Sequence, residues 1–354
     1  MEKEQTLDGN ETKHQRRPRY KGTHPKNFKE KYKELQPEQY ADDVAKIIQK
    51  GNTPAGMHIS ICVNEILEIL QIKPGQTGLD ATLGYGGHTL EMAKRLAGQG
   101  WLYATDVDPI ELPRTKERLE RLGYGEEKVA IRQMNFSQID QIVPEAGLFD
   151  FVLADLGVSS MQIDNPERGF SFKTEGPLDL RLNPESGFSA ANRLQKMTVA
   201  ELQYMLIENA DEPHAEAIAR AIVSNIKKGI KIATTAQLRD IIKEALKVVP
   251  KISEDEIKKS CQRSFQALRI DINNEFEVLD EFLAKLPDVL AKDGRVAILT
   301  FHSGEDRRVK KSFKQFLREG VYSEIAPDPI RASAQECHIN SRARSAKLRW
   351  AIKA

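Results

Sequence analysis

The chain has 354 residues, 40% of them hydrophobic and 30% charged, with a formal net charge of +1. That balance excludes a disordered polyelectrolyte, and no apolar run approaches the length of a bilayer-spanning helix. The length accommodates about two domains.

The charge is uneven along the chain. Lys13 to Lys33 carries nine Lys or Arg against one acid, and Ser341 to Ala354 carries five against none. Basic ends on a neutral body point to an anionic partner such as RNA. The three cysteines (Cys62, Cys261, Cys337) lie far apart without a CxxC pair. They predict a reducing compartment, the cytoplasm, and no disulfide framework. The seven histidines show no zinc-type spacing, so no metal is expected.

In chain order, residues 1–52 read as a basic extension with a short helix at Tyr40–Gln49. Val63, Ile66, Leu67 and Leu70 share one helical face, and Lys73-Pro74-Gly75 stops it. Then comes TGLDATLGYGGHT, Thr77 to Thr89. It is a short apolar run ending in Asp80, followed by Gly84, Gly86 and Gly87, then a helix. Strand, glycine turn and helix bring backbone to a ligand at a helix N-terminus. A dinucleotide fingerprint places G-x-G-x-x-G directly after the strand to cradle a pyrophosphate. Here the order is G-x-G-G-H, with Asp80 four residues ahead of Gly84. An acid there suits an ammonium and a sulfonium, so S-adenosylmethionine is favoured over a nucleotide.

The second strand, Trp101–Thr105, leads into Asp106-Val107-Asp108-Pro109. Asp106 lies 20 residues beyond Gly86, the separation of a ribose-binding acid. Asp108-Pro109 reads as N-cap and first helical residue, and Pro113 predicts a kink. The third strand is Val129–Gln133, and Phe136 after it suits either an adenine or the core. The fourth, Phe149–Ala154, ends in Asp155, an acid at a central strand end where such sheets place their chemistry. The stretch from Gln162 to Asn183 is irregular and carries Arg168, Phe170, Phe172 and Arg181. Only helical patterns follow, with a capping box at Thr198 and Glu201, so an all-helical insertion into an α/β domain is expected. The sheet resumes after Arg263–Arg269 and a helix from Phe276 to Leu290. A fifth strand, Arg295–Thr300, ends at His302, read as a rim of the same cleft. The last strand is Ala346–Ile352.

These segments resemble one family, the bacterial ribosomal small-subunit methyltransferase H. The stretches that carry the resemblance are DATLGYGGHT, DVDP, NF, DLGVSSMQID, PERGFSF, GPLDLRL, RSFQALRI, FHSGEDRRVK and RARSAKLR, running from about His58 to Trp350. The resemblance implies a class I S-adenosylmethionine-dependent methyltransferase (Rossmann-like) domain, residues 53–163 and 262–354, with an inserted helical substrate-binding domain, 164–261. It implies methylation of the 4-amino group of a decoding-region cytidine in 16S rRNA, within the small ribosomal subunit. Membrane and metal are absent from that picture, and a homodimer is compatible with it. Cofactor contacts are implied at Gly86, Gly87, His88, Asp106, Phe136, Asp155 and Gln162, beside Asp80 and Gly84 of the turn. Asp155 would act on the amine, and Phe170 or Phe172 would pack on the base. Arg168, Arg181, Arg263, Arg269, Arg307, Arg342 and Arg344 would meet phosphates. The chain departs from the family pattern at Ala210-Asp211-Glu212 and Lys259-Ser260-Cys261-Gln262. The alternatives are an RNA-binding assembly factor without catalysis, or methylation of a different nucleotide.

Overall fold

The computed structural model describes residues 60–354, and the basic extension with its expected helix lies outside them. Among the described residues the strands are β1 (Thr77–Asp80), β2 (Trp101–Asp106), β3 (Val129–Gln133), β4 (Phe149–Asp155), β5 (Leu290–Thr300), β6 (Tyr322–Ile325) and β7 (Lys347–Lys353). They form one sheet in the order β3-β2-β1-β4-β5-β7-β6. β1 to β5 are parallel, and β7 is antiparallel to both β5 and β6. Strand order therefore reverses between β1 and β4, and a crevice opens there at the carboxyl ends. Register brings those ends level: Asp80 pairs with Ala104 and Leu153, and Asp155 with Leu299.

β4 shows why this sheet is central. Phe149, Phe151, Val152, Leu153 and Ala154 are all fully buried, as a parallel strand covered on both faces requires. One face packs against α11 (Glu275–Val289) through Leu279, Phe282 and Leu286. The other packs against α1 (Val63–Leu70) and α2 (Gly87–Leu96) through Ile66, Leu70, Met92 and Leu96. α3 (Glu111–Arg121) starts two residues later than Asp108-Pro109 predicts. Pro113 sits in its first turn, where its missing N–H has no intrahelical partner to lose, so the expected kink has no cause. α4 (Val143–Ala146) is a single turn before β4. β6 was not foreseen.

Between β4 and β5 the described residues contain no strand. The chain there forms α5 (Ser160–Asp164), α6 (Ala190–Leu194), α7 (Val199–Ala210), α8 (Ala215–Lys227), α9 (Thr235–Lys247) and α10 (Glu254–Asn273) before α11. These helices bury a core of their own, with Leu202, Ile218, Leu238, Ile242 and Phe265 at its centre. Thr198 and Glu201 do close a capping box at the start of α7. α10 runs unbroken through residues 261 and 262 and turns back at Asn274, whose φ of 49° is left-handed. No helix among the described residues is long and apolar enough to cross a membrane. α12 (Ser303–Arg318) follows β5, and α13 (Ala334–Ile339) precedes β7.

Candidate active site at the carboxyl ends of the strands

A cleft of about 740 Å³ lies over the carboxyl ends of β1, β2, β4 and β5, closed on its far side by α5, α10 and the start of α11. A smaller hollow of about 430 Å³ lies at the other end of the sheet, around Leu96, Gly100, Leu122 and Lys128. Ligands of open α/β sheets sit at the carboxyl ends, so the larger cleft is the candidate site.

The glycine turn forms its floor. Gly84 (φ 48°) donates its N–H to Asp106 Oδ2 at 2.8 Å and accepts from Thr115 Oγ1 at 2.7 Å. Gly86 (φ 70°) is left-handed, and a Cβ there would come within 3.0 Å of the Thr115 side chain. Only glycine leaves that backbone open at the N-terminus of α2. Asp80 was expected to face the ligand, but it does not line the cleft. It is buried and spends its oxygens on Thr89 Oγ1 (2.6 Å) and Thr82 N (3.1 Å). It braces the turn from behind, and burial pushes its carboxyl up.

Asp106 does line the cleft. Oδ2 takes the Gly84 N–H and Oδ1 the Asp108 N–H at 2.9 Å, leaving each oxygen a lone pair for a further donor. Burial outweighs these two bonds and pushes its pKa up to about 6. Phe136 lines the cleft with its ring edge-to-face on Phe282, centroids 5.1 Å apart, so the ring serves cleft and core together.

Asp155 lies beside the turn. Its N–H donates to Thr82 Oγ1 at 2.6 Å, fixing the end of β4 to the glycine turn. Oδ2 lies 3.4 Å from His88 Nδ1, whereas Oδ1 is shielded from solvent and has no hydrogen-bond partner. His88 Nε2 lies 3.0 Å from the Ile61 carbonyl. Both ring nitrogens thus face acceptors. Burial alone lowers the His88 pKa, but the Asp155 and Asp80 carboxylates outweigh it and the net shift is upward. An imidazolium satisfies both acceptors at once. Ile61 and Thr82 are functional supports that the sequence reading missed, because neither carries a motif.

The remaining expected residues divide into two groups. Gln162 lines the cleft, yet its amide is committed: Oε1 accepts from Ser159 N (2.8 Å) and Nε2 donates to Asp108 Oδ2 (2.7 Å). Arg168, expected at a phosphate, is 5% exposed and ion-paired to Asp108 at 2.7 Å, so it cannot reach one. Arg181 forks onto Asp179, Arg263 bonds Glu212 and Glu256, and Arg269 forks onto Glu275. Arg342 bonds Ser160 and faces Asp164. These four cations are partly or largely covered and internally neutralised. Arg307 is 72% exposed, with Asp211 at 3.9 Å, and Arg344 is exposed. Phe170 and Phe172 line the cleft from the inserted segment, and Phe172 stacks at a tilt on Phe265 with centroids 5.9 Å apart.

His302 faces Glu305 at 3.2 Å on the rim. With Glu275 these side chains bring metal-type ligand atoms within 4.8 Å of one another. The Arg269 guanidinium already occupies the Glu275 carboxylate, which opposes a cation there.

Residues 55–354 match the model of the MraW methylase family. Relatives extend the match to nearly the whole chain. It is 73% identical to "Ribosomal RNA small subunit methyltransferase H 2" of Alkaliphilus metalliredigens, over 98% of this chain and 100% of that one. It is 68% identical to "Ribosomal RNA small subunit methyltransferase H 1" of Lachnoclostridium phytofermentans, over 99% of this chain and 96% of that one. The protein of Agathobacter rectalis with the same name is 61% identical over 97% and 99%.

Proposed function

The chain belongs to the MraW methylase family, and from that premise we propose that it methylates the exocyclic 4-amino group of a cytidine in the decoding region of 16S rRNA. Its methyl donor is S-adenosylmethionine, its partner is the small ribosomal subunit, and its compartment is the cytoplasm. The observation that carries the reading is the Asp155 carboxylate, 29% exposed, which lines the cleft beside the glycine turn.

The residues present fit the cofactor. Asp106 keeps two acceptor positions for the hydroxyls of a ribose, Phe136 offers a ring to an adenine, and the open backbone at Gly86 and Gly87 admits a ligand at the start of α2. When bound, S-adenosylmethionine supplies an electrophilic methyl group. The cytosine amine is a poor nucleophile because its lone pair is delocalised into the ring. The Asp155 carboxylate accepts a hydrogen bond from that amine and so favours the lone pair staying on nitrogen. Orientation within the cleft then supplies much of the acceleration. The nitrogen that gains a methyl must lose a proton, and the Asp155 carboxylate receives it. His88, 3.4 Å from Oδ2, orients the carboxylate toward the amine, which makes it a positioning residue. Phe170 and Phe172 receive the base once it leaves its stack. Residues 164–261 act as the substrate-binding unit.

The test is transfer of tritium from labelled cofactor to small subunits, with the label mapped on 16S fragments. Label at a decoding-region cytidine is expected. Binding without label would make the protein an assembly factor, and label elsewhere would change the target.

A further inference from the structure

α12 begins at the cleft rim and carries Arg307, Lys310, Lys311, Lys314 and Arg318, all exposed. At 100° per residue these five fall within one face, while Val309 and Phe313 are buried on the opposite one. The stripe runs about 16 Å from Arg307, at the rise of about 1.5 Å per residue.

Six helix cations elsewhere are neutralised locally. Lys94 pairs with Glu91, Arg114 with Glu111, Arg121 with Glu117, Arg220 with Glu216, Lys247 with Glu244 and Lys259 with Asp255, each three or four residues away. α12 gathers its exposed cations on one face. Its acids Glu305 and Asp306 are buried and taken by His302 and by Lys347 and Arg349. Among the described residues no carboxylate pairs with Lys310, Lys311 or Lys314, and Arg307 has only the Asp211 contact at 3.9 Å. The neighbours three and four positions away are instead other cations, an arrangement that destabilises an isolated helix. The helix dipole favours cations in the last turn, which accounts for Arg318 but not for Lys310 or Lys311.

We propose that this stripe is a track for an RNA phosphate backbone, which aligns the substrate strand outside the cleft while its target base enters. The proposal rests on the reading of RNA as substrate. Between Arg307 and Lys314 the face exposes no large apolar side chain, so it lacks the anchors of a protein interface and offers what phosphates need.

The test uses the full chain and naked 16S RNA, with the triple variant Lys310→Gln, Lys311→Gln, Lys314→Gln. Each lost phosphate contact lowers the slope of log affinity against log salt by about 0.7–0.9, so the slope should fall by about 2–3. At 0.15 M salt that corresponds to roughly 100-fold weaker binding. Cofactor affinity, measured alongside, should be unchanged and reports on folding. A second triple, Lys73→Gln, Lys128→Gln, Lys292→Gln, removes the same charge from exposed positions near the amino ends of the strands, away from the cleft, and should leave the slope nearly intact. An unchanged slope in the α12 triple overturns the proposal, as does an equal loss in both triples, which would be an effect of net charge. Weaker binding to assembled subunits with an unchanged slope on naked RNA would move the stripe to a protein partner and also overturn it. If wild-type enzyme transfers no label to RNA, the catalytic reading fails, but the slopes still decide whether the stripe binds phosphate.

Discussion

Lowering the pH through 6 should loosen the cofactor, and Asp106 sets the size of the effect. Its carboxyl is pushed up to about 6 because burial outweighs the two backbone N–H groups that it accepts. The ribose hydroxyls need lone pairs, so only the ionised form binds well. The sign follows: above pH 6 the acid is already ionised and affinity is flat, and below it each binding event must first remove a proton. With binding limited to the ionised form, the apparent Kd scales as 1 + 10^(pKa−pH). Between pH 7.5 and pH 5.0 it therefore rises by about 10-fold, or about 1.4 kcal/mol. Asp106→Ala should cost about 1.5–3 kcal/mol at pH 7.5, the scale of a lost charged hydrogen bond. It should also abolish the pH dependence, which separates Asp106 from His88, whose pKa is raised and which contacts a different acid. Calorimetric titration with S-adenosylmethionine across that range is the assay. Flat wild-type affinity, or an Ala variant that keeps the wild-type slope, would refute the assignment of Asp106 to the ribose.

Asp155→Ala should lower kcat and kcat/KM together by about 10²–10⁴ in single-turnover methylation, with RNA binding retained and Asn less damaging than Ala. A folded Ala variant with normal turnover would end its catalytic role. His88→Gln should lower kcat while cofactor affinity stays within a few-fold, and should shift the pH profile of kcat. A profile that superimposes on the wild type would reduce His88 to a packing group. Arg168→Ala should destabilise the protein by about 3–5 kcal/mol in denaturant unfolding, because it strands the buried Asp108 carboxylate. A loss below about 1 kcal/mol would show that the pair is dispensable.

The strand ends were legible because each apolar run stops at a polar residue that lines or braces the cleft: Asp80, Asp106, Asp155 and His302. β6 was not, since its four residues bury only Tyr322 and too little alternation survives on so short an edge strand. β5 begins at Leu290, five residues before the expected Arg295, and its pairing with β4 shifts register between Phe149 and Phe151. The cations were the larger miss. A sequence displays a charge but not the carboxylate that folding brings to it, and Glu212 reaches Arg263 across 51 residues. Glu212 also accepts from Ser260 Oγ at 2.9 Å. Residues 212 and 260 thus meet in one buried contact, which local spacing could not reveal.

The irregular stretch from Gln162 to Asn183 is anchored from within the fold. Asp108 is fully buried and accepts from Ile110 N and Glu111 N on Oδ1, and from Gln162 Nε2 and Arg168 Nη1 on Oδ2. Arg168 in turn donates from Nη2 to the carbonyls of Arg181 and Leu182. One carboxylate therefore ties together the loop after β2, two residues from Asp106, the loop after β4 that begins at Asp155, and the entry into the inserted helices. A buried ion pair adds little net stability, but its geometry tolerates little displacement. Asp106, Asp155 and the segment carrying Phe170 and Phe172 are thereby tied to one buried carboxylate. Substitutions at Asp108, Gln162 and Arg168 should couple strongly rather than add. Precision at the cleft is set by this buried network, and under the proposed function the exposed cations are left to meet the RNA.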